Sequence, residues 1–163
     1  MPLVADPTSR ISALADIEES QRGTRYAIGA GSIIDSFVKI KPAGGSGDLL
    51  IGERVVINSG CVLYTGNGIV IGDDCAIAAN CVFAPVNHEY SRRDMLIRDQ
   101  RFKPSRGGIV IGKDVWIGAG CVLLDGTVVE DGAVIGAMSL IRGHVEAYSV
   151  NIGTPLRQIG WRH

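Results

Sequence analysis

Aliphatic residues recur at every sixth position along most of this chain. In residues 107–124, GGIVIGKDVWIGAGCVLL, Ile111, Ile117 and Leu123 stand six apart, and the first two are followed by Gly112 and Gly118. Val115 and Cys121 fall four places after Ile111 and Ile117. A strand alternates faces every second residue and an amphipathic helix repeats every 3.6, so neither accounts for a period of six. A fixed short period marks a stacked repeat, and hexapeptide repeats predict a parallel β-helix. The same step links Ile28, Ile34 and Ile40, then Ile51, Ile57 and Leu63, then Ile71, Ile77 and Phe83. After a gap it runs unbroken through Ile111, Ile117, Leu123, Val129, Ile135 and Ile141. With three hexads to a triangular coil, the pattern predicts an all-β fold of about five coils.

The interruptions are as informative as the repeat. They follow Ile40, Leu63 and Phe83, each the third hexad of its coil, so the same corner of the prism is opened three times running. Insertions in repeat proteins collect on the binding face, and a site is expected at that corner. The longest insertion spans residues 84–108. Before the repeat, Ile11, Leu14, Ala15 and Ile17 or Glu18 fall near helical spacing, after possible caps Thr8 and Ser9 and ahead of Gly23. They predict a short amphipathic helix over residues 9–22 that covers the open first coil, as repeat arrays require. Residues 1–9, with Pro2 and Pro7, read as irregular. The expected organisation is an N-terminal segment at 1–26, a β-helix at 27–152 with its inserted loop at 84–108, and a tail at 153–163.

Composition narrows the function. At 163 residues and a net charge of −1, the chain gives no support for a basic nucleic-acid binder or a polybasic membrane protein. It has no apolar run of the length needed to span a bilayer, and its first residues lack a signal-peptide layout, so a cytoplasmic location is expected. Cys61, Cys75, Cys81 and Cys121 form no CxxC and share the small buried position of the hexad, where cysteine packs as a small hydrophobe. No metal site is expected from them.

Together with the hexads, three features carry a family resemblance: VWIG at 115–118, a long His-bearing loop before it, and GTPLRQIG at 153–160. The chain resembles the hexapeptide-repeat acyltransferases, whose fold is a left-handed parallel β-helix, and is closest to their sugar and surface-polysaccharide O-acetyltransferase branch. The resemblance implies acetyl-CoA as acyl donor, a homotrimer with sites between subunits, and a catalytic histidine where the loop leaves its coil. His88 matches that placement. A sugar hydroxyl is a weak nucleophile, and an imidazole that titrates near neutrality suits both removal of its proton and return of one to the leaving thiolate.

Other candidates surround His88. Asn87 could donate to the substrate or to a developing oxyanion, or simply form a turn. Glu89, Asp94 or a backbone carbonyl could orient the imidazole. Arg92, Arg93, Arg98, Arg101, Lys103 and Arg106 outnumber Glu89, Asp94 and Asp99 in the loop. Guanidinium groups there could hold a nucleotide-sugar, an anionic glycan or the phosphates of coenzyme A. Met95, Leu96 and Ile97 form an apolar patch suited to a neighbouring subunit. From the resemblance, Trp116 would lie outside the coil beside the pantetheine arm. Ala119, Gly136 and Ala137 would admit that arm close to the backbone, and Arg142 and Arg157 would face its phosphates. Met138 stands where the family's coils commonly carry Gly.

These residues point to transfer of an acetyl group to a sugar hydroxyl, with His88 as general base. Two readings compete: N-acetylation of an amino nucleotide-sugar, where the amine needs a loop base less, and a non-catalytic binding module on the same scaffold. A zinc-dependent hydratase on this fold would need three histidine ligands, and only His88 is well placed against His144 and His163.

Overall fold

A computed structural model of the chain describes residues 3–163. Within it the six-residue step becomes three flat parallel sheets that form the faces of a triangular prism, wound as a left-handed parallel β-helix. Sheet A takes the first strand of each coil: Leu3–Ala5, Tyr26–Ile28, Leu49–Ile51, Ile69–Ile71, Ile109–Ile111, Val128–Val129 and His144–Val145. Sheet B takes the second strand of each, from Arg10–Ile11 to Ser149–Ile152, and sheet C the third, from Asp16–Ile17 to Leu140–Ile141. Six coils are complete and a seventh is partial. The register is kept from coil to coil, so that Ile77 stands over Ile57 and under Ile117.

The three corners differ. From sheet A to sheet B the connection is four residues in each of the first six coils, and from sheet B to sheet C it is always four. From sheet C back to sheet A the connections are 18–25, 42–48, 65–68, 85–108, 125–127 and 142–143. All the variation in length among complete coils therefore sits on one edge, which matches the expected corner and extends it to coil 1.

Every anchor from Ile28 to Ile141 points inward and is buried. Filling this narrow interior with branched aliphatics contributes about 1.5–3 kcal/mol per side chain. The four cysteines complete it as free, buried thiols. Each donates to a carbonyl of the next coil: Cys61 to Ala78 at 3.1 Å, Cys75 to Gly112 at 3.0 Å, Cys81 to Gly118 at 3.2 Å and Cys121 to Gly136 at 3.3 Å. The small position of the hexad thus stitches coils together as well as filling space.

The expected N-terminal helix is absent. Residues 9–22 instead contribute Arg10–Ile11 and Asp16–Ile17, which pair in parallel with Ile33–Ile34 and Lys39–Lys41. The hexad step is present there, as Ala5, Ile11 and Ile17, but it begins on an alanine. Leu14, which completed the helical pattern, lies 60% exposed at a corner. Thr8 and Ser9 are corner residues bonded to Asp6 rather than helix caps. The β-helix consequently begins at coil 1 rather than at residue 27, which raises the coil count from five to six and a part. Pro2 lies outside the described residues. The tail expected at 153–163 is also structured: Arg157–Trp161 folds back antiparallel on Ser149–Ile152. Among the described residues helix is confined to one turn, Ile97–Gln100, in the long loop.

Candidate functional site

Four successive connections stack on the C-to-A edge, and their glycines let them do so. A Cβ on Gly45 would run into the Gly66 carbonyl of the coil above. Gly44, at φ +84°, leaves room for the long loop to settle, because a Cβ there would stand 2.6 Å from Val86 Cγ1. The result is a cavity of about 670 Å³ lined by Arg22 of the first connection, Gly44, Gly45 and Ser46 of the second, and His88, Arg98, Arg101 and Phe102 of the long loop. A smaller groove alongside shares Arg22, Gly44 and Phe102 and adds Glu18 and Glu19.

The long loop is tied down near both ends. Pro85 O accepts from Asn67 Nδ2 at 2.7 Å and from Ser105 Oγ at 3.2 Å. Further in, the loop pairs with itself. Glu89 N–H donates to Arg101 O at 2.8 Å and Lys103 N–H to Asn87 O at 3.0 Å, around an antiparallel bridge between His88 and Phe102. Asn87 Nδ2 donates to Asp125 Oδ1 at 2.7 Å. The Asp125 side chain, 1% exposed, also accepts from the Arg106 backbone at 2.9 Å and from its guanidinium at 3.3 Å. Burial raises the pKa of this carboxyl, but the amide and guanidinium of Arg106 outweigh that and hold it below the usual range.

The imidazole of His88 therefore stands in the cavity on a braced backbone, against the ring of Phe102. Glu89 does not orient it. Its Oε1 accepts from the amides of Tyr90 and Ser91, at 2.7 and 2.8 Å, which leaves it as a turn-former. Asp94 pairs with Arg92 at 2.6 Å. Asn87 stands beside His88, with one amide hydrogen committed to Asp125. Arg98 pairs with Asp99 at 3.3 Å and Arg106 with Asp125, whereas Arg22 and Arg101 form no ion pair among the described residues. Met95, Leu96 and Ile97 are exposed on the outer arm of the loop.

The residues assigned to an acyl donor lie elsewhere on the prism. Trp116 is half exposed on the outer face of sheet B, between Ala76 and Val134. Ala119, Gly136 and Ala137 stack at the B-to-C corner, where a Cβ on Gly118 would stand 2.5 Å from the Ala137 nitrogen. Met138, at φ +60°, projects from the same corner with its sulfur over Gly120, and so crowds the upper end of that channel. Arg157 sits in the terminal hairpin and Arg142 in the last C-to-A connection. Sheet B is the face opposite the His88 edge, so one chain does not bring Trp116 and His88 together. His144 pairs with Glu130 at 2.9 Å.

Sequence reasoning missed Asp125, Phe102 and Arg22. Neither Asp125 nor Phe102 belongs to a motif or period that marks it in the sequence. Arg22 was hidden inside the supposed helix.

Comparison with known proteins agrees with this architecture. Residues 108–143 match the model of the bacterial transferase hexapeptide (six repeats), and residues 49–83 that of the hexapeptide repeat of succinyl-transferase. A Mycobacterium tuberculosis protein named "Probable acetyltransferase" is 32% identical over 71% of this chain, a stretch that spans 39% of that relative's length. Escherichia coli WbbJ, named as a putative lipopolysaccharide biosynthesis O-acetyl transferase, is 26% identical over 84% of this chain and 69% of its own. Among solved structures, AntD, an N-acyltransferase from Bacillus cereus in complex with dTDP and coenzyme A, superposes with a TM-score of 0.79 at 24% identity. That match covers 95% of this chain and 84% of AntD, and shows a shared fold.

Proposed function

We propose, for a chain that belongs to the hexapeptide-repeat acyltransferase family, that it moves an acetyl group from acetyl-coenzyme A to a hydroxyl of a sugar. The observation that carries this reading is the placement of His88. The repeat delivers one imidazole into a cavity of sugar-accommodating size, with its backbone held on both sides. There His88 takes the proton of the acceptor hydroxyl as its oxygen attacks the acyl carbon, and passes that proton to the departing sulfur. The acyl donor supplies an activated thioester. Much of the remaining rate would come from holding two reactants in line.

The donor side fits a thin, extended group. The small residues at the B-to-C corner leave the backbone open, and Trp116 offers an indole face next to them. Because these lie on the face opposite His88, a complete site takes His88 from one copy and Trp116 from another, in a cyclic homotrimer. An apolar row supports association: Val4, Ala27, Leu50, Val70, Val110 and Val128 stand in register up the outer face of sheet A.

A second reading is N-acylation of an amino nucleotide-sugar. The lining of the cavity suits the phosphates of such a nucleotide-sugar, because Arg22, Arg98 and Arg101 line it together with His88 and no carboxylate is among the lining residues. One assay decides: thiol release from acetyl-coenzyme A across sugars, amino sugars and nucleotide-sugars, for the wild type and His88→Ala. Release with a hydroxyl acceptor that is lost in the variant supports O-acetylation, and release only with an amino nucleotide-sugar supports the second reading. No release with any acceptor, together with no coenzyme binding, would leave a non-catalytic binding module.

A further inference from the structure

We infer that Asp125 is the positioning residue for His88. The inference rests on the reading of His88 as the base. Asp125 belongs to the three-residue connection of coil 5, directly above the coil from which the long loop departs. Its carboxylate reaches both ends of that loop. Oδ1 accepts from Asn87 at 2.7 Å and from the Arg106 guanidinium at 3.3 Å, and Oδ2 accepts from the Arg106 amide at 2.9 Å and from its Nε at 3.4 Å.

A buried carboxylate is costly unless its hydrogen bonds compensate for lost water. Closing the loop does not require that cost. Neutral groups already do so at Pro85, whose carbonyl accepts from Asn67 and Ser105. What the charge adds is a grip on Asn87, the residue before the base. The backbone of 87–89 is then held by Arg101 and Lys103, and the Asn87 side chain is held by Asp125. The His88 side chain has no hydrogen bond of its own among the described residues, only the stacking on Phe102. Its aim therefore follows its backbone, and the backbone follows Asp125.

The test compares Asp125→Asn with the exchanged pair Asn87→Asp/Asp125→Asn. In the exchanged pair the amide introduced at position 125 donates to the carboxylate introduced at position 87. Its oxygen still accepts from the Arg106 amide, so the bond beside His88 is rebuilt. Thiol release is measured with acetyl-coenzyme A and whichever acceptor of the panel the wild type turns over fastest. Asp125→Asn is expected to lower kcat by about 10- to 100-fold, the scale of an ångström-sized misplacement, with coenzyme affinity by calorimetry unchanged. The exchanged pair is expected to recover most of that loss. Amide exchange at Glu89 and Lys103 is expected to quicken in Asp125→Asn, while the coil amides stay protected. In a His88→Ala background Asp125→Asn should cost nothing further, because a residue acting through His88 has nothing left to position. An unchanged kcat in Asp125→Asn, equal losses in both backgrounds, or an exchanged pair that folds and stays as slow as the single variant would overturn the inference. Full turnover by His88→Ala would instead remove the base itself. If Asp125→Asn does not fold, the exchanged pair alone decides, by its kcat against the wild type.

Discussion

The imidazole of His88 lies against the ring of Phe102, with 5.1 Å between centroids and a tilt of 32°. The two residues also face each other across the antiparallel bridge in the long loop. Removing the ring frees the imidazole to turn without loosening the coils, because Phe102 is 45% exposed and lies outside the core. Phe102→Ala is expected to lower kcat by about tenfold through lost orientation, with Phe102→Leu in between. Steady-state kinetics beside thermal melts check this, and a large fall in melting temperature would contradict it.

Glu89 neighbours His88 in sequence but holds the amides of Tyr90 and Ser91 instead. Ser91 first, and then Tyr90, keep its carboxyl below the ordinary range. Glutamine can accept the same two bonds. Glu89→Gln should therefore keep kcat within about threefold and leave its pH profile in place, which would not hold if Glu89 were the partner of His88 acting as the proposed base. A displaced pH profile would return Glu89 to the mechanism.

Burial pushes the Cys75 thiol up to about 11. An unfolded chain loses that proton nearer pH 9, so between the two values the folded state binds more protons, and stability falls as pH rises. The loss approaches about 2–3 kcal/mol by pH 11. Denaturant melts at about pH 8 and about pH 10.5, on either side of the unfolded thiol's titration, should show the decline. Cys75→Val, a residue already used at the equivalent corner by Val55 and Val115, should reduce it. All four thiols should resist an aqueous thiol reagent until the chain unfolds.

Trp116 stands clear of the core, so Trp116→Ala should leave the circular dichroism of the coils unchanged. If it lines the acyl donor, that variant should bind acetyl-coenzyme A about tenfold more weakly, and the wild-type indole fluorescence should change on binding. Equal affinity in calorimetry would move the donor to another face.

The anchors from Ile28 onward were legible because an inward side chain in a narrow coil tolerates little but branched aliphatics. The opened corner was legible for a related reason: an insertion breaks the step of six and then restores it. Coil 1 was not legible, because its interior is half open below. Ile11 and Ile17 keep the hexad there, but with Leu14 between them they satisfy a helical spacing as well. The site divided in the same way. His88 was marked as a candidate by its place in the loop taken together with the family resemblance. Asp125 could not, because its meaning lies in contacts with residues 38 and 19 positions earlier, which no local pattern records.

The constancy of two corners has a consequence for how such a protein can change. Four-residue connections fix the phase of each sheet without reference to the third, whose lengths here run from two residues to twenty-four. Lengthening or shortening that third connection shifts no inward side chain. The framework thus behaves as a rack with one open slot per coil, into which recognition segments can be exchanged singly. Acceptor preference can drift, or be engineered by grafting, while the rack and its stability stay as they are.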